Sequence, residues 1–193
     1  MPRWPADSRE RLATAALDLF SEHGYGAVTI DQIADRAGVT ARTFFRQFQD
    51  KEEVLFADDD LLLPILLETI AEPRGPIEAG TLMEQALVAL ADRMQPAHEA
   101  LRQRQAVIDT DVALSGRELA KQARWEGAIA TALAERGFRA DDASLLAAIG
   151  FALFRRELHA WLADASPDAA PLADRIRAAL PSLRTILDAT TAS

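Results

Sequence analysis

Apolar residues recur at helical spacing from one end of the 193-residue chain to the other. Leu12, Ala15, Ala16, Leu19 and Phe20 follow the i, i+3, i+4, i+7, i+8 pattern of a helix that buries one face, and Asp7-x-x-Glu10 offers it a capping box. His23-Gly24 is placed to end this helix, and Gly24-Tyr25 returns the chain toward Val28. Ile33, Ala34 and Ala37 predict a second, shorter helix. Thr29 and Gln32 have capping-box spacing at its start, and Val28 and Ile33 fall where a hydrophobic staple sets its approach angle. Gly38 stands where a C-terminal cap needs a left-handed residue, Val39 plugs the turn, and Thr40 caps a third helix. At 100° per residue, Phe44 and Phe48 of that helix point together into a core, while Arg42, Thr43, Phe45 and Arg46 occupy the opposite arc. Residues 28 to 51 therefore read as a helix-turn-helix.

Asp50-x-x-Glu53 repeats the cap spacing and predicts a helix carrying Val54, Leu55 and Phe56, which Pro64 is expected to bend or break. Lys51 in its first turn opposes the helix dipole, a conflict that a phosphate at the same amides would resolve. Asp58, Asp59 and Asp60 read as a solvated acidic face, and EPRGP at 72 to 76 as a loop. Met83, Leu87, Leu90 and Met94 predict a helix stopping near Pro96, and residues 97 to 113 another, interrupted around Asp109 to Asp111. Leu114 to Arg136 carries Leu119, Trp125, Ile129 and Leu133 and is closed by Gly137. Arg117, Lys121 and Arg124 share one side of it, either a wet face or the mouth of a site for an anionic ligand.

Residues 141 to 163 are apolar on more than one side. A single core contact cannot cover so wide a stripe, so one side is expected to meet another subunit. Ser166-Pro167 is the expected start of the last helix, with Leu172, Ile176, Leu180, Leu183 and Leu187 at spacings of three or four and Pro181 as a kink. These five leucine and isoleucine positions, with Leu145, Ile149, Leu153 and Trp161, form the expected interface of a homodimer, two helices from each chain making a four-helix contact.

Strand signals are nearly absent, so the expected class is all-α. The helix-turn-helix predicts a three-helix DNA-binding domain over residues 1–51, before a larger helical domain over 52–193 in which ligand binding and dimerisation are expected. The chain contains no cysteine, which excludes disulfides, thiol redox sensing and cysteine-ligated zinc. No run reaches the roughly 18 apolar residues of a membrane helix, and MPRWPADSRERL lacks a signal core, so no membrane partner is expected and a cytoplasmic location fits. Arg3 and Trp4 precede the first helix as a disordered arm.

The net charge of -9 is unevenly spread. Residues 1 to 51 carry seven basic and seven acidic side chains, so all the excess acidity lies in residues 52 to 193. Arg42, Arg46 and Lys51 against Asp50 alone leave the third helix locally basic, with donors for phosphates and guanine edges. An outward Phe45 has no partner on a merely solvated face, whereas in a groove it can lie against sugar or a thymine methyl. Catalytic signatures are missing, among them G-x-S-x-G, H-E-x-x-H, the P-loop and G-x-G-x-x-G. His23, His98 and His159 have no metal-ligand spacing, and no cofactor, metal or catalytic residue is expected. Met83, Leu87, Trp125, Ile129, Phe151 and Phe154, with His159 as a hydrogen-bonding group, are the expected walls of a site for a largely apolar effector, although each residue also suits a plain core.

The stretches AALDLFSEHGYGAVTIDQIADRAGVT, ARTFFRQF and DKEEVLF stand in an order and spacing that resemble the N-terminal DNA-binding domain of the TetR family of bacterial transcriptional regulators. The resemblance covers residues 8 to 56, about a quarter of the chain. It implies a homodimer bound to a double-stranded operator and controlled by a small-molecule effector. Thr29, Thr40, Thr43, Phe45 and Lys51 would then lie near phosphates, and Ala41, Arg42, Arg46 and Gln47 near bases or backbone. Two positions depart from the family's pattern. Phe45 replaces a common tyrosine and cannot make its hydroxyl-to-phosphate bond, and Gln47 replaces a common aromatic. The competing expectations are a small-molecule carrier or enzyme with a vestigial helix-turn-helix, and a DNA-binding regulator that ignores ligands.

Overall fold

In the computed structural model the helical spacing becomes helices and, among the described residues, no strand. The description covers residues 6–56, 59–72, 75, 77–166 and 168–188, without the side chains of 6, 7, 59, 60 and 183–188. The α-helices are α1 (Ala6–His23), α2 (Ile30–Arg36), α3 (Ala41–Gln47), α4 (Asp59–Ala71), α5 (Ala79–Met94), α6 (His98–Asp109), α7 (Val112–Glu135), α8 (Ala140–Ala163) and α9 (Leu172–Asp188). They belong to two compact units, Met1–Asp60 with Glu99–Leu119, and Leu61–His98 with Ala120–Ser193. Arg3, Trp4, Asp58 and Pro167 lie outside the described residues, as does the Asp7 side chain.

The first unit is organised by its caps. Gln32 N donates to Thr29 Oγ1 at 3.3 Å and Thr29 N to Gln32 Oε1 at 2.8 Å, so the capping box at the head of α2 is closed in both directions. At its tail Gly38, with φ +66°, lets Val39 N reach Ala34 O at 2.9 Å while its own N–H reaches Asp35 O at 3.0 Å. That pair of bonds is a Schellman motif, and its left-handed residue strains any side chain with a Cβ. Thr40 Oγ1 then accepts from Thr43 N at 3.3 Å and opens α3. The core beneath is built from Leu12, Ala16 and Phe20 of α1, Ile33 of α2, Phe44 and Phe48, closed by Val54, Leu55 and Phe56 and by Val107, Ile108 and Leu114.

Two helix starts differ from expectation. The segment after Asp50 is a four-residue 3-10 turn, Glu53–Phe56, rather than the opening of a long helix. Its Glu53 N does bond Asp50 Oδ1 at 2.6 Å, so the cap is real while the helix it starts is short. α9 begins at Leu172, not after Ser166. Ser166 instead bonds Asp164 and closes a turn through Ala169 N, and Pro171 O receives the first helical amides, from Asp174 and Arg175. α4 runs unbroken through Pro64 and α9 through Pro181. Each proline removes a single ladder bond, and buried Leu66 and Ile70 in α4, or Ile176 and Ala179 in α9, hold the helix around it.

In the second unit α5, α8 and α9 pack together over Leu82, Met83, Leu87 and Leu90 of α5 and Phe151, Phe154 and Trp161 of α8. A Cβ on Gly150 would lie 2.7 Å from Met83 Cγ, so glycine permits α8 to approach α5 this closely. His98 Nε2 sits 3.1 Å from Trp161 O, with the two rings 4.3 Å apart. The breadth of α8 is accordingly used largely inside its own unit. Leu153, Trp161, Leu172 and Ile176, expected at the dimer interface, are buried within the chain itself, Leu153 the most exposed of them at 8%. Leu145 and Ile149 remain 61% and 43% exposed, Leu180 is half-buried, and the side chains of Leu183 and Leu187 are not described. Among the described residues no helix is long and apolar enough to cross a membrane.

Candidate nucleic-acid interface

The seven residues of α3 divide as the helical wheel requires. Phe44 and Phe48 are 0% and 2% exposed with ring centroids 5.5 Å apart, whereas Phe45 is 58% exposed. Arg42 and Arg46 are exposed one turn apart beside it, and no hydrogen bond or ion pair ties either down among the described residues. Thr29 and Thr40 are exposed cap residues, Ala41 and Thr43 are half-buried, and Thr40 and Thr43 hydroxyls lie 3.2 Å apart. Two guanidinium groups, two hydroxyls and a ring edge thus share one open face, a set suited to phosphate and base-edge hydrogen bonds.

Two further expected residues behave differently. Gln47 is half-buried and its carbonyl accepts from Arg9 Nη1 at 2.6 Å, the guanidinium carbon lying 4.5 Å above the Phe48 ring. Lys51 turns inward, its Nζ donating to Tyr25 O at 2.7 Å and Val28 O at 2.8 Å. Arg11 donates to Ala37 O, the C-cap of α2. The sequence offers little signal for Arg9 and Arg11, because their partners are backbone carbonyls distant along the chain.

Tyr25 closes this region, its ring 5.1 Å from Phe20 and 4.1 Å from Lys51 Nζ. Burial, then the carboxylates of Glu52, Asp111 and Asp50, push its pKa up to about 12 from an ordinary 10. Between those values the unfolded chain releases a proton that the folded chain keeps, so this contribution to stability is complete below pH 10 and lost as pH rises toward 12. Tyr25 is the only tyrosine of the chain, and phenolate absorbance should therefore rise near pH 12 in the folded protein. A native ionisation near 10 contradicts this placement.

Arg117 lies in the first unit, 3.1 Å from Asp50 and 3.2 Å from Glu52, while Lys121 Nζ is 5.6 Å above the Trp125 ring and Arg124 is exposed. Arg117 is thus committed to carboxylates. Among the expected effector residues, Met83, Leu87, Trp125, Ile129, Phe151 and Phe154 are all buried in the second unit. Phe151 joins two of them, 6.0 Å from Phe154 and 6.1 Å from Trp125. His159 is exposed and does not join them.

Residues 12–57 match the family model described as bacterial regulatory proteins, tetR family. Across 92% of the chain and 83% of the relative, the sequence is 30% identical to the HTH-type transcriptional regulator TcmR of Streptomyces glaucescens. The fold resembles the transcriptional regulator FadR of Bacillus subtilis, solved with stearoyl-CoA, at TM-score 0.63 and 16% identity over 90% of this chain and 96% of that one. It also resembles SmeT, the repressor of a Stenotrophomonas maltophilia multidrug efflux pump, at TM-score 0.61 and 21% identity over 93% and 91%. With a helix-turn-helix whose caps close, whose turn glycine is left-handed and whose third helix presents its arginines outward, and with a relative matched along nearly its whole length, the chain belongs to the TetR family of bacterial regulatory proteins.

Proposed function

We propose that the protein is a homodimeric repressor that holds a near-palindromic operator through α3 and releases it when a largely apolar small molecule occupies the second unit. The division of α3 carries this reading. Phe44 and Phe48 anchor the helix from below, Phe45 is exposed, and among the described residues no hydrogen bond or ion pair holds Arg42 or Arg46. Thr29, Thr40, Ala41 and Thr43 flank them as further contacts. Exposed Leu145 and Ile149, one turn apart on α8, support pairing with a second copy. Ligand control is supported by the stearoyl-CoA complex of FadR and a triclosan complex of SmeT, both apolar-tailed or aromatic occupants of this fold. Trp125, Phe151 and Phe154 offer such a molecule aromatic walls. A ligand acts only through unequal affinity for the DNA-competent and released states. The protein acts on DNA in the cytoplasm and turns nothing over.

Selection of duplexes from a random pool by the purified protein tests this. The expected product is an inverted repeat whose half-site centres lie about 34–36 Å apart, one helical turn. A pool with no enriched sequence rejects the regulator reading, and enrichment of a single half-site rejects the symmetric dimer.

A further inference from the structure

We propose that Lys51 is a positioning residue, an internal staple that fixes the start of α2 against the end of α3, and not a contact to the DNA backbone. The inference rests on α3 being the DNA-facing helix. An ammonium group has three donors, and here two end on Tyr25 O and Val28 O, at 2.7 and 2.8 Å. The Tyr25 ring lies 4.1 Å from Nζ and the Phe20 ring 5.9 Å, so the remaining side of the charge faces aromatic surface. Lys51 is half-buried, unlike Arg42 and Arg46. Burial lowers its pKa, against the pull of Glu52 and Asp111, as expected for a cation withdrawn from water.

The two carbonyls it grips belong to a part of the chain with little structure of its own. Between the end of α1 and the Thr29 cap there is only the 3-10 turn Tyr25–Ala27, and Val28 immediately precedes that cap. Lys51 follows α3 by four residues. One side chain therefore joins the entrance of the helix-turn-helix to its exit. Arg11 at the α2 C-cap carbonyl and Arg9 at the Gln47 carbonyl do the same at two other ends. Lys51, Arg9 and Arg11 are thus directed at backbone oxygens inside the unit, in contrast to the outward pair Arg42 and Arg46 on α3.

The two roles differ in how binding responds to salt, because each lysine or arginine on a phosphate contributes about 0.9 to the slope of log K against log salt. The full chain and the inverted repeat it selects are used, with binding followed by fluorescence anisotropy over a salt series for Lys51→Met and Lys51→Arg. Lys51→Met is expected to weaken operator binding about tenfold at every salt concentration, giving a line parallel to that of the parent protein. Affinity for a random duplex of the same length stays unchanged, and circular dichroism shows full helicity at the assay temperature. Lys51→Arg keeps the charge, yet it puts a larger planar guanidinium where a compact ammonium is half-buried between two carbonyls and the Tyr25 ring, and it is expected to show the same loss. A slope shallower by about 0.9 per protomer overturns the proposal in favour of a phosphate contact. So does parent affinity in Lys51→Arg, or a Lys51→Met protein that loses thermal stability but binds as tightly as the parent where it is folded. If Lys51→Met does not fold, the arginine variant decides by its affinity. A chain that selects no duplex removes the regulator reading itself, an outcome distinct from any of these.

Discussion

Replacing Phe44 with alanine is expected to destabilise the first unit by about 3–5 kcal/mol, the usual cost of deleting a fully enclosed aromatic ring. Phe44 is 0% exposed, packed between Phe48 at 5.5 Å and Phe45 at 5.6 Å, and it fastens α3 to the core shared with Leu12 and Ile33. The loss is comparable to much of the ~5–15 kcal/mol that stabilises a whole domain, so α3 would be largely unfolded in this variant. Urea denaturation followed by circular dichroism measures it, as an early transition of the first unit separated from that of the second. The adjacent Phe45 supplies the control. At 58% exposure its replacement by alanine should change stability by no more than about 0.5 kcal/mol. Equal losses at the two positions contradict a two-faced α3.

The second large effect concerns binding. Arg42→Ala and Arg46→Ala should each remove about 1–3 kcal/mol of operator affinity per half-site, and so twice that from a symmetric dimer. Neither change removes a hydrogen bond or ion pair among the described residues, so the fold should be unaffected. The pattern of loss assigns each role. An arginine on a guanine edge loses discrimination at one base pair, whereas one on a phosphate weakens all sequences alike and lowers the salt slope by about 0.9. Competition titrations with single-base operator variants, repeated at two salt concentrations, separate the cases. Unchanged affinity in both variants rejects α3 as the reading helix.

How far the sequence revealed this architecture depended on the range of each interaction. The capping box of Thr29 and Gln32, the left-handed Gly38 and the i, i+4 pair Phe44 and Phe48 are each settled within a few residues, and their spacing announces them. Lys51 could not be read this way. Its charge and its place after α3 suggested a phosphate contact, yet its partners are the carbonyls of residues 25 and 28, which no side-chain pattern marks. The choice between a wet face and an anion site at Arg117 was open for the same reason, since its partners Asp50 and Glu52 lie more than sixty positions away. The breadth of α8 was legible as apolar, but periodicity cannot say whether a neighbour is one's own α5 and α9 or a second copy. Trp161, Leu172 and Ile176 turned out to belong to the former.

The core of the first unit is not contiguous along the gene. Val107, Ile108 and Leu114 seal the same cluster as Phe44 and Phe56, though residues 61 to 98, which belong to the second unit, lie between them along the chain. A fragment ending at residue 60, or a hybrid regulator spliced there onto a foreign sensor, leaves this cluster open on one side. Transplanting the DNA-reading specificity of this protein intact means carrying residues 99 to 119 along with it.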